Sequence, residues 1–389
     1  MSKAIGVKKR RVLYLRKITC PTIMFILVLF FSLISWQQTG VGIADVGLFI
    51  AITILYTRRV RIDRLFMILM LLFLSYYYSG MIGIVVYNYD FEIRSLVTFL
   101  ISIYFTLCLF SYDFSEVEIE LIILSYIIIS ALGSVLILFS VLRDDQYGYF
   151  RYTAHVFGIY RDSLYMCCFQ MGSIYICINR FFHKKNKVLY FVLFSLIIVG
   201  QLFTGDRTAI VVSAFSIVYS VAVYFIKRKK LKKLLLLLLI LSSVIFLGYK
   251  FVLPLMSEYT VGRLFSFRTY IEDNSRFVMW RRCLEIFSKH VLFGIGYNNN
   301  NVILMSEGLH YSHNVFLDIL CGQGVIGIII FFWYIVYSLK RTNNKVYLLG
   351  FIISAFSPLL FVNGYNTMSF WIPMFFVPFL AKMDLKSYM

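Results

Sequence analysis

Charge is scarce in this chain of 389 residues: only 15% of positions are Asp, Glu, Lys or Arg, while 60% are hydrophobic. That shortage excludes a soluble domain, which would be left with far more apolar surface than water tolerates. Lipid is therefore the expected solvent. With no water in the bilayer core each span must satisfy its own backbone hydrogen bonds, and the apolar runs are too long and too uniform for barrel strands. A disulfide framework is missing as well: six of the seven cysteines, Cys20, Cys108, Cys167, Cys168, Cys177 and Cys321, fall in apolar runs, and only Cys283 lies in a polar segment. No cysteine metal site follows from that pattern. No cleavable signal peptide is expected either, because the first apolar run leads into Trp36-Gln37-Gln38 rather than small residues. Sequence repeats and a two-half hydropathy symmetry are also lacking.

What is present is a series of apolar runs with basic punctuation. A span needs roughly 17 to 25 apolar residues. Twelve segments qualify, at 20–36, 41–56, 65–87, 95–111, 121–142, 163–179, 188–203, 207–226, 234–253, 314–338, 346–362 and 367–381. The expected fold class is an all-α integral membrane protein of about twelve transmembrane helices, with residues 1–389 forming a single polytopic membrane domain. The net charge of +19 belongs to the connections between spans, not to a surface patch, so no nucleic-acid partner is implied. With both termini cytoplasmic, the segments 1–19, 57–64, 112–120, 180–187, 227–233, 339–345 and 382–389 lie inside and hold 26 of the 38 Lys and Arg residues. The opposite orientation would translocate Arg58-Arg59 and the run Lys227-Arg228-Lys229-Lys230, against the positive-inside tendency.

Two external loops then stand out, 143–162 and 254–313, and long structured loops usually carry function. In the second, residues 275–291 predict an amphipathic helix. At about 100° per residue it gathers Met279, Trp280, Cys283, Leu284, Phe287 and Val291 on one side, opposite Arg281, Arg282, Glu285 and Lys289. Arg276 is the basic residue aimed with the apolar stripe, for anion binding or for snorkelling at the interface. Arg207 follows Thr204-Gly205-Asp206 and opens a span, where free N–H groups and the helix dipole favour an anion; Asp206 is a candidate cap or partner. His313 lies at the start of the tenth span with Ser312 as candidate N-cap, a setting that disfavours the imidazolium and suits a general base, although a structural histidine fits the same spacing. A metal pair of His313 with His310 lacks any accompanying acidic or cysteine cluster. Gly294-Ile295-Gly296 reads as a turn, not a dinucleotide fingerprint, since no strand precedes it and no third glycine follows. Arg151, Tyr160, Arg161 and Asp162 can line a polar cleft, or be ordinary solvated charge. Aromatic residues, 19% of the chain, fit interfacial belts first and sugar stacking second.

Three stretches taken in order, Gly205-Asp206-Arg207-Thr208-Ala209, then Ser275-Arg276 with Trp280 and Phe293-Gly294-Ile295-Gly296, then His313-Asn314 followed by Leu317 and Gly324, resemble the O-antigen polymerase and O-antigen ligase superfamily of bacterial envelope enzymes. The resemblance spans roughly residues 150–340. It implies a metal-independent, cofactor-free membrane glycosyltransferase of the GT-C type, with undecaprenyl diphosphate-linked glycan as donor and a sugar hydroxyl as acceptor. Carried over by motif, Arg207 and Arg276 hold the diphosphate and His313 is the catalytic base. Arg161, Arg282, His310 and Asn314 are further substrate-binding candidates. The chain departs from the family pattern at Asp206, where relatives carry a small or serine residue, and that weakens the local positive field around Arg207. The expected activity is a polysaccharide polymerase in the bacterial inner membrane, working on the external face with membrane lipid and a chain-length regulator as partners. A ligase using the same donor, and a lipid-glycan flippase or transporter, are the alternatives. The clustering of Arg207, Arg276 and His313 at one face favours a fixed external site over a transport path.

Overall fold

The computed structural model describes residues 19–34, 63–89, 93–139, 141–144, 149–152, 154–156, 159–161, 163–183, 186–204, 206–227, 250, 274–362, 364–365 and 367–382. Within them the membrane body is helical: α1 Cys20–Ile34, α2 Arg64–Tyr87, α3 Ile93–Ser111, α4 Glu116–Phe139, α5 Ser163–His183, α6 Lys187–Thr204, α7 Arg207–Lys227, α8 Asn274–Lys289, α9 Asn299–Ser306, α10 Val315–Arg341, α11 Lys345–Phe356 and α12 Met368–Lys382. Among the described residues, the segments Arg64–Tyr87, Glu116–Phe139, Lys187–Thr204, Arg207–Ile226 and Val315–Arg341 are long and apolar enough to cross a membrane, and Cys20–Leu33, Ser95–Ser111, Lys345–Phe361 and Met368–Lys382 are shorter apolar helices. The spans expected at 41–56 and, apart from residue 250, at 234–253 lie outside the described residues. The connection after α4 is folded into two antiparallel ribbons: β1 Val141–Asp144 pairs with β2 Tyr149–Tyr152, and β3 Ala154–Val156 with β4 Ile159–Arg161. Their Tyr, Phe, Val and Ile content favours extended backbone.

α5 is the hub, packing against α4, α6, α7, α11 and α12. Protein rather than lipid surrounds it, and that enclosure lets it carry polar side chains. Gln170 and Ser173 are fully buried on it, with Gln170 Nε2 donating to the Ser130 carbonyl and to Ser134 Oγ of α4. Gln201 of α6 donates to Gln170 Oε1 and accepts from Ser213 of α7, so amide and hydroxyl bonds join four neighbouring helices. α12 is also enclosed, with Met368 to Ala381 buried throughout and Pro373 and Pro378 inside it. At 15 residues it is about 22 Å long, less than the hydrocarbon thickness of about 30 Å, so it depends on its neighbours for a polar environment at its ends. Aromatic rings fill the centre of the bundle rather than only ringing it. Trp371, Tyr76, Tyr126, Phe25, Phe99, Phe105 and Phe169 are fully buried, and Tyr126 stacks on Phe376 at 4.5 Å.

The two ends of the bundle are built differently. At one end, Ser115 and Glu118 form a capping box on α4, and the same Glu118 carboxylate accepts from the Thr19 backbone N–H and from Thr22 Oγ1 at the start of α1. Arg180 grips Glu120 with two bonds of 2.6 and 2.8 Å. Asp63 caps α2 and pairs with Arg341 at 3.0 Å. Lys382 donates to the carbonyls of Phe110 and Tyr112. The segments around residues 63, 112–120, 180 and 341 thus meet at one end, while the ribbons follow α4 at the other, where α10 also starts and α8 and α9 pack against it.

Candidate functional site

α8 forms where the amphipathic pattern places it; Met279, Cys283 and Ile286 are buried on it, and Met279 and Cys283 pack with Leu304, Cys321 and the half-buried Phe287, Leu309 and Leu317. Leu284 and Val291 do not join that stripe; they are 50% and 43% exposed. The inward face is centred nearer Ile286, because α8 rests on both α9 and α10. Arg276 is half-buried one turn before Trp280 and has no hydrogen-bond or ion-pair partner among the described residues. Arg281 is exposed beside Glu285. Arg282 is engaged: its guanidinium binds both oxygens of Glu307 and also Glu285, and it holds the Glu307 carboxyl below the usual carboxylate range. That fork ties α8 to the end of α9 and leaves Arg282 poorly disposed to receive a substrate anion.

The Gly-Ile-Gly turn has a mechanical role. α10 is interrupted at Gly324, which has φ 68° and ψ −167°. The turn inserts into this break: Ile295 N and Gly296 N donate to the carbonyls of Cys321 and Gly322, and Val325 N and Ile326 N donate to those of Val291 and Leu292. Freed helical groups are thereby satisfied inside protein, as irregular backbone at membrane depth requires. A Cβ on Gly294 would lie 2.3 Å from the Cys321 oxygen, and one on Gly324 would lie 2.2 Å from that of Leu292. Both positions also have positive φ, so glycine is required twice over.

This lock sets the height of the segment that carries His313. Asn314, not Ser312, caps α10: its Oδ1 accepts from Phe316 N and Leu317 N at 3.0 and 3.1 Å. Asparagine at this position has the extended backbone that a cap needs, φ −154°, and its carbonyl is then committed to the helix. Ser312 is held at every polar atom: its N–H donates to Asn301 Oδ1, its hydroxyl donates to Asp318, and its carbonyl accepts from Trp280 Nε1 at 2.8 Å. Between these anchors His313 adopts φ 47°, the left-handed region, at a cost of about 1 kcal/mol or more for a non-glycine residue. Its ring is half-buried and lies 6.5 Å from that of Tyr311. His310 is exposed.

Arg207 begins α7 and is half-buried, but the N–H groups of that first turn are not waiting for an anion. Asp206 Oδ1 accepts from Thr208 N and Ala209 N, so the carboxylate is the cap. Arg207 can act on an anion only through its guanidinium. α7 packs against the 3-10 turn Ser357–Phe361, and the Phe361 ring lies 6.3 Å from Trp280. α7 and the Trp280 turn of α8 therefore both neighbour this 3-10 turn. Arg161 ends β4, opposite Ala154 in the ribbon.

Asp318 is not among the candidates drawn from the sequence. It is buried, and it accepts from Ser312 Oγ, from Asn300 and Asn301 Nδ2, and from Gly364 N at 2.7 Å. The signal was there: an acid in the first turn of an apolar helix, one helical turn after the His-Asn pair, preceded by a run of asparagines. His290 was also missed; it stands edge-on to Tyr87 at 4.4 Å, and burial, reinforced by Lys289, pushes its imidazole below the ordinary histidine range. Among the described residues no group of three His, Cys, Asp or Glu is arranged to hold a metal ion.

Fold and site together define an integral membrane protein with long apolar helices and a polar, strained cluster of loop segments at one end. A family model described as O-antigen ligase matches residues 191–332. That match includes Arg207, Arg276, His313 and Gly324, so this segment is similar to the O-antigen polymerase and ligase superfamily, whose members are glycosyltransferase-like enzymes. No curated protein matches the chain.

Proposed function

We propose that the protein is an inverting, metal-independent polysaccharide polymerase of the bacterial inner membrane. It would have about twelve spans of GT-C type, cytoplasmic termini and its site on the external face. The donor is a glycan on undecaprenyl diphosphate; the acceptor is a sugar hydroxyl on a second lipid-linked repeat unit. The acceptor oxygen attacks the anomeric carbon, the bond to the diphosphate oxygen breaks, and the diphosphate departs on its lipid. Arg276 and Arg207 neutralise the developing anion through charge-assisted hydrogen bonds, and His313 takes the acceptor proton. The isoprenoid tail stays in the bilayer while the glycan reaches the loops, and a chain-length regulator is an expected partner.

One observation carries this reading: the indole of Trp280, one turn from Arg276, bonds the carbonyl of the residue that precedes His313. An anion ligand and a base on separate segments are thus tied to one another. The two reactive groups of a transferase need that relation. A ligase, which attaches finished polymer to another acceptor, is the second reading and has the family model's own description in its favour. Deleting the gene and complementing with His313→Ala separates them. Polymerase function predicts single repeat units accumulating on the lipid carrier with the variant present at normal levels; ligase function predicts full-length polymer left unattached; normal polymer would remove His313 from the mechanism.

A further inference from the structure

We infer that Asp318 is a positioning residue for His313 and acts through Ser312; the inference rests on the general-base reading of His313. The carboxylate is 1% exposed, and the partners on it are neutral donors: the Ser312 hydroxyl, two asparagine amides of α9 and the Gly364 N–H before α12. Burying a charge this way is costly unless its hydrogen-bonding capacity is filled. Here it is filled from three chain segments, α9, the Ser312 turn and the Gly364 turn. Asn301 doubles the connection, giving Nδ2 to Asp318 and Oδ1 to the Ser312 N–H. Ser312 therefore cannot turn about its own axis, and Asn314 on the far side is fixed by the cap it makes. The residue between two immobile neighbours is the one held at φ 47°. Such strain persists where the surroundings over-determine it, and these are those surroundings. Releasing Ser312 lets residue 313 relax toward ordinary backbone angles and swings the imidazole off the acceptor hydroxyl, while Arg276 and the donor site stay in place.

The full-length protein purified in detergent is assayed with a lipid diphosphate-linked repeat unit, and thermal unfolding is followed alongside. Ser312→Ala and Asp318→Asn are expected to lower kcat about tenfold or more, with donor KM changed by less than about twofold, because the general-base contribution is lost and donor binding is not. Ser312→Thr, which keeps the hydroxyl, should restore most of the rate. His313→Gly suits the left-handed backbone, and added imidazole should recover part of its turnover. In that rescued background Ser312→Ala should cost nothing further, since no tethered ring remains to be aimed. Wild-type kcat in Ser312→Ala, with His313→Ala inactive, overturns the inference and leaves the base assignment standing. An undiminished loss from Ser312→Ala in the rescued background also overturns it, by showing a general structural role. Full activity in His313→Ala removes the base assignment itself, whatever Ser312 does.

Discussion

The two ends of the helical bundle hold their polar groups by different rules. At the end formed by the starts of α1, α2 and α4, carboxylates meet cations or helix N–H groups: Glu120 meets Arg180, Asp63 meets Arg341 and caps α2, and Glu118 closes a capping box. These are connections that fasten helices. At the other end the carboxylate of Asp318 is held by neutral donors, and Arg276 of α8 stands half-buried with no carboxylate partner among the described residues. Backbone strain divides the same way. The non-glycine residues with positive φ among those described, Asn88, Asn298 and His313, all follow or precede helices at this second end, as do Gly294, Gly296, Gly324 and Gly364. Strain and an uncommitted cation are the marks of a site that binds something other than the protein itself.

Changes to the strained backbone and the unpaired cation should cost activity, whereas changes to the carboxylate clamps at either end should cost stability alone. The largest effect is expected from Arg276→Lys. A point charge lacks the planar fork that grips a diphosphate, so polymer formation should fall by roughly 1.5–3 kcal/mol in transition-state terms, or more than tenfold, with protein level unchanged. Wild-type polymer yield would reduce Arg276 to an interfacial residue. Next comes Gly324→Ala, which meets both the positive φ and the Leu292 carbonyl. It should destabilise the folded state by more than about 1–2 kcal/mol and weaken activity by freeing the Gly-Ile-Gly turn. A fully active, equally stable variant would show that the helix break is incidental. Glu120→Gln, at the other end, leaves the buried Arg180 charge without its partner and should lower thermal stability by up to about 3 kcal/mol while activity per folded molecule holds. Smallest is Arg282→Ala. Both partners of its clamp are partly solvated, so a change of less than about 1 kcal/mol is expected. The Glu307 carboxyl sits lower in the folded protein than in the unfolded chain. The clamp's contribution is therefore present above the ordinary glutamate pKa and is lost as pH falls through the lowered value; Arg282→Ala should unfold at the same temperature as the parent in strong acid and slightly below it at neutral pH.

Hydropathy made the helical body legible, since segments of long apolar sequence between basic connections have few other solutions in lipid. It also suggested α8, whose buried Met279 and Cys283 lie on the side the wheel assigned. The rest depended on tertiary contacts that composition does not carry. A wheel sees apolarity but not the direction of the neighbours, so it points Leu284 and Val291 inward although both are exposed. Serine caps well, which makes Ser312 a candidate cap; the structure gives that task to Asn314 because Ser312 is occupied by Asp318, Asn301 and Trp280. Asp206, a candidate cap in the sequence, does cap the helix that Arg207 opens, and so fills the first turn where free N–H groups would have favoured an anion. Gly294-Ile295-Gly296 and Gly324 could each be read as a turn, and only the fold shows that the first fits into the break made by the second.

The most direct test of the convergence of Arg276 and His313 on one lipid-linked diphosphate is donor binding measured beside turnover on purified protein. His313→Ala should bind the lipid diphosphate-linked repeat as tightly as the parent and fail to turn it over, whereas Arg276→Lys should bind it more weakly. Equal donor affinity in all three proteins, with turnover intact in both variants, would contradict the account.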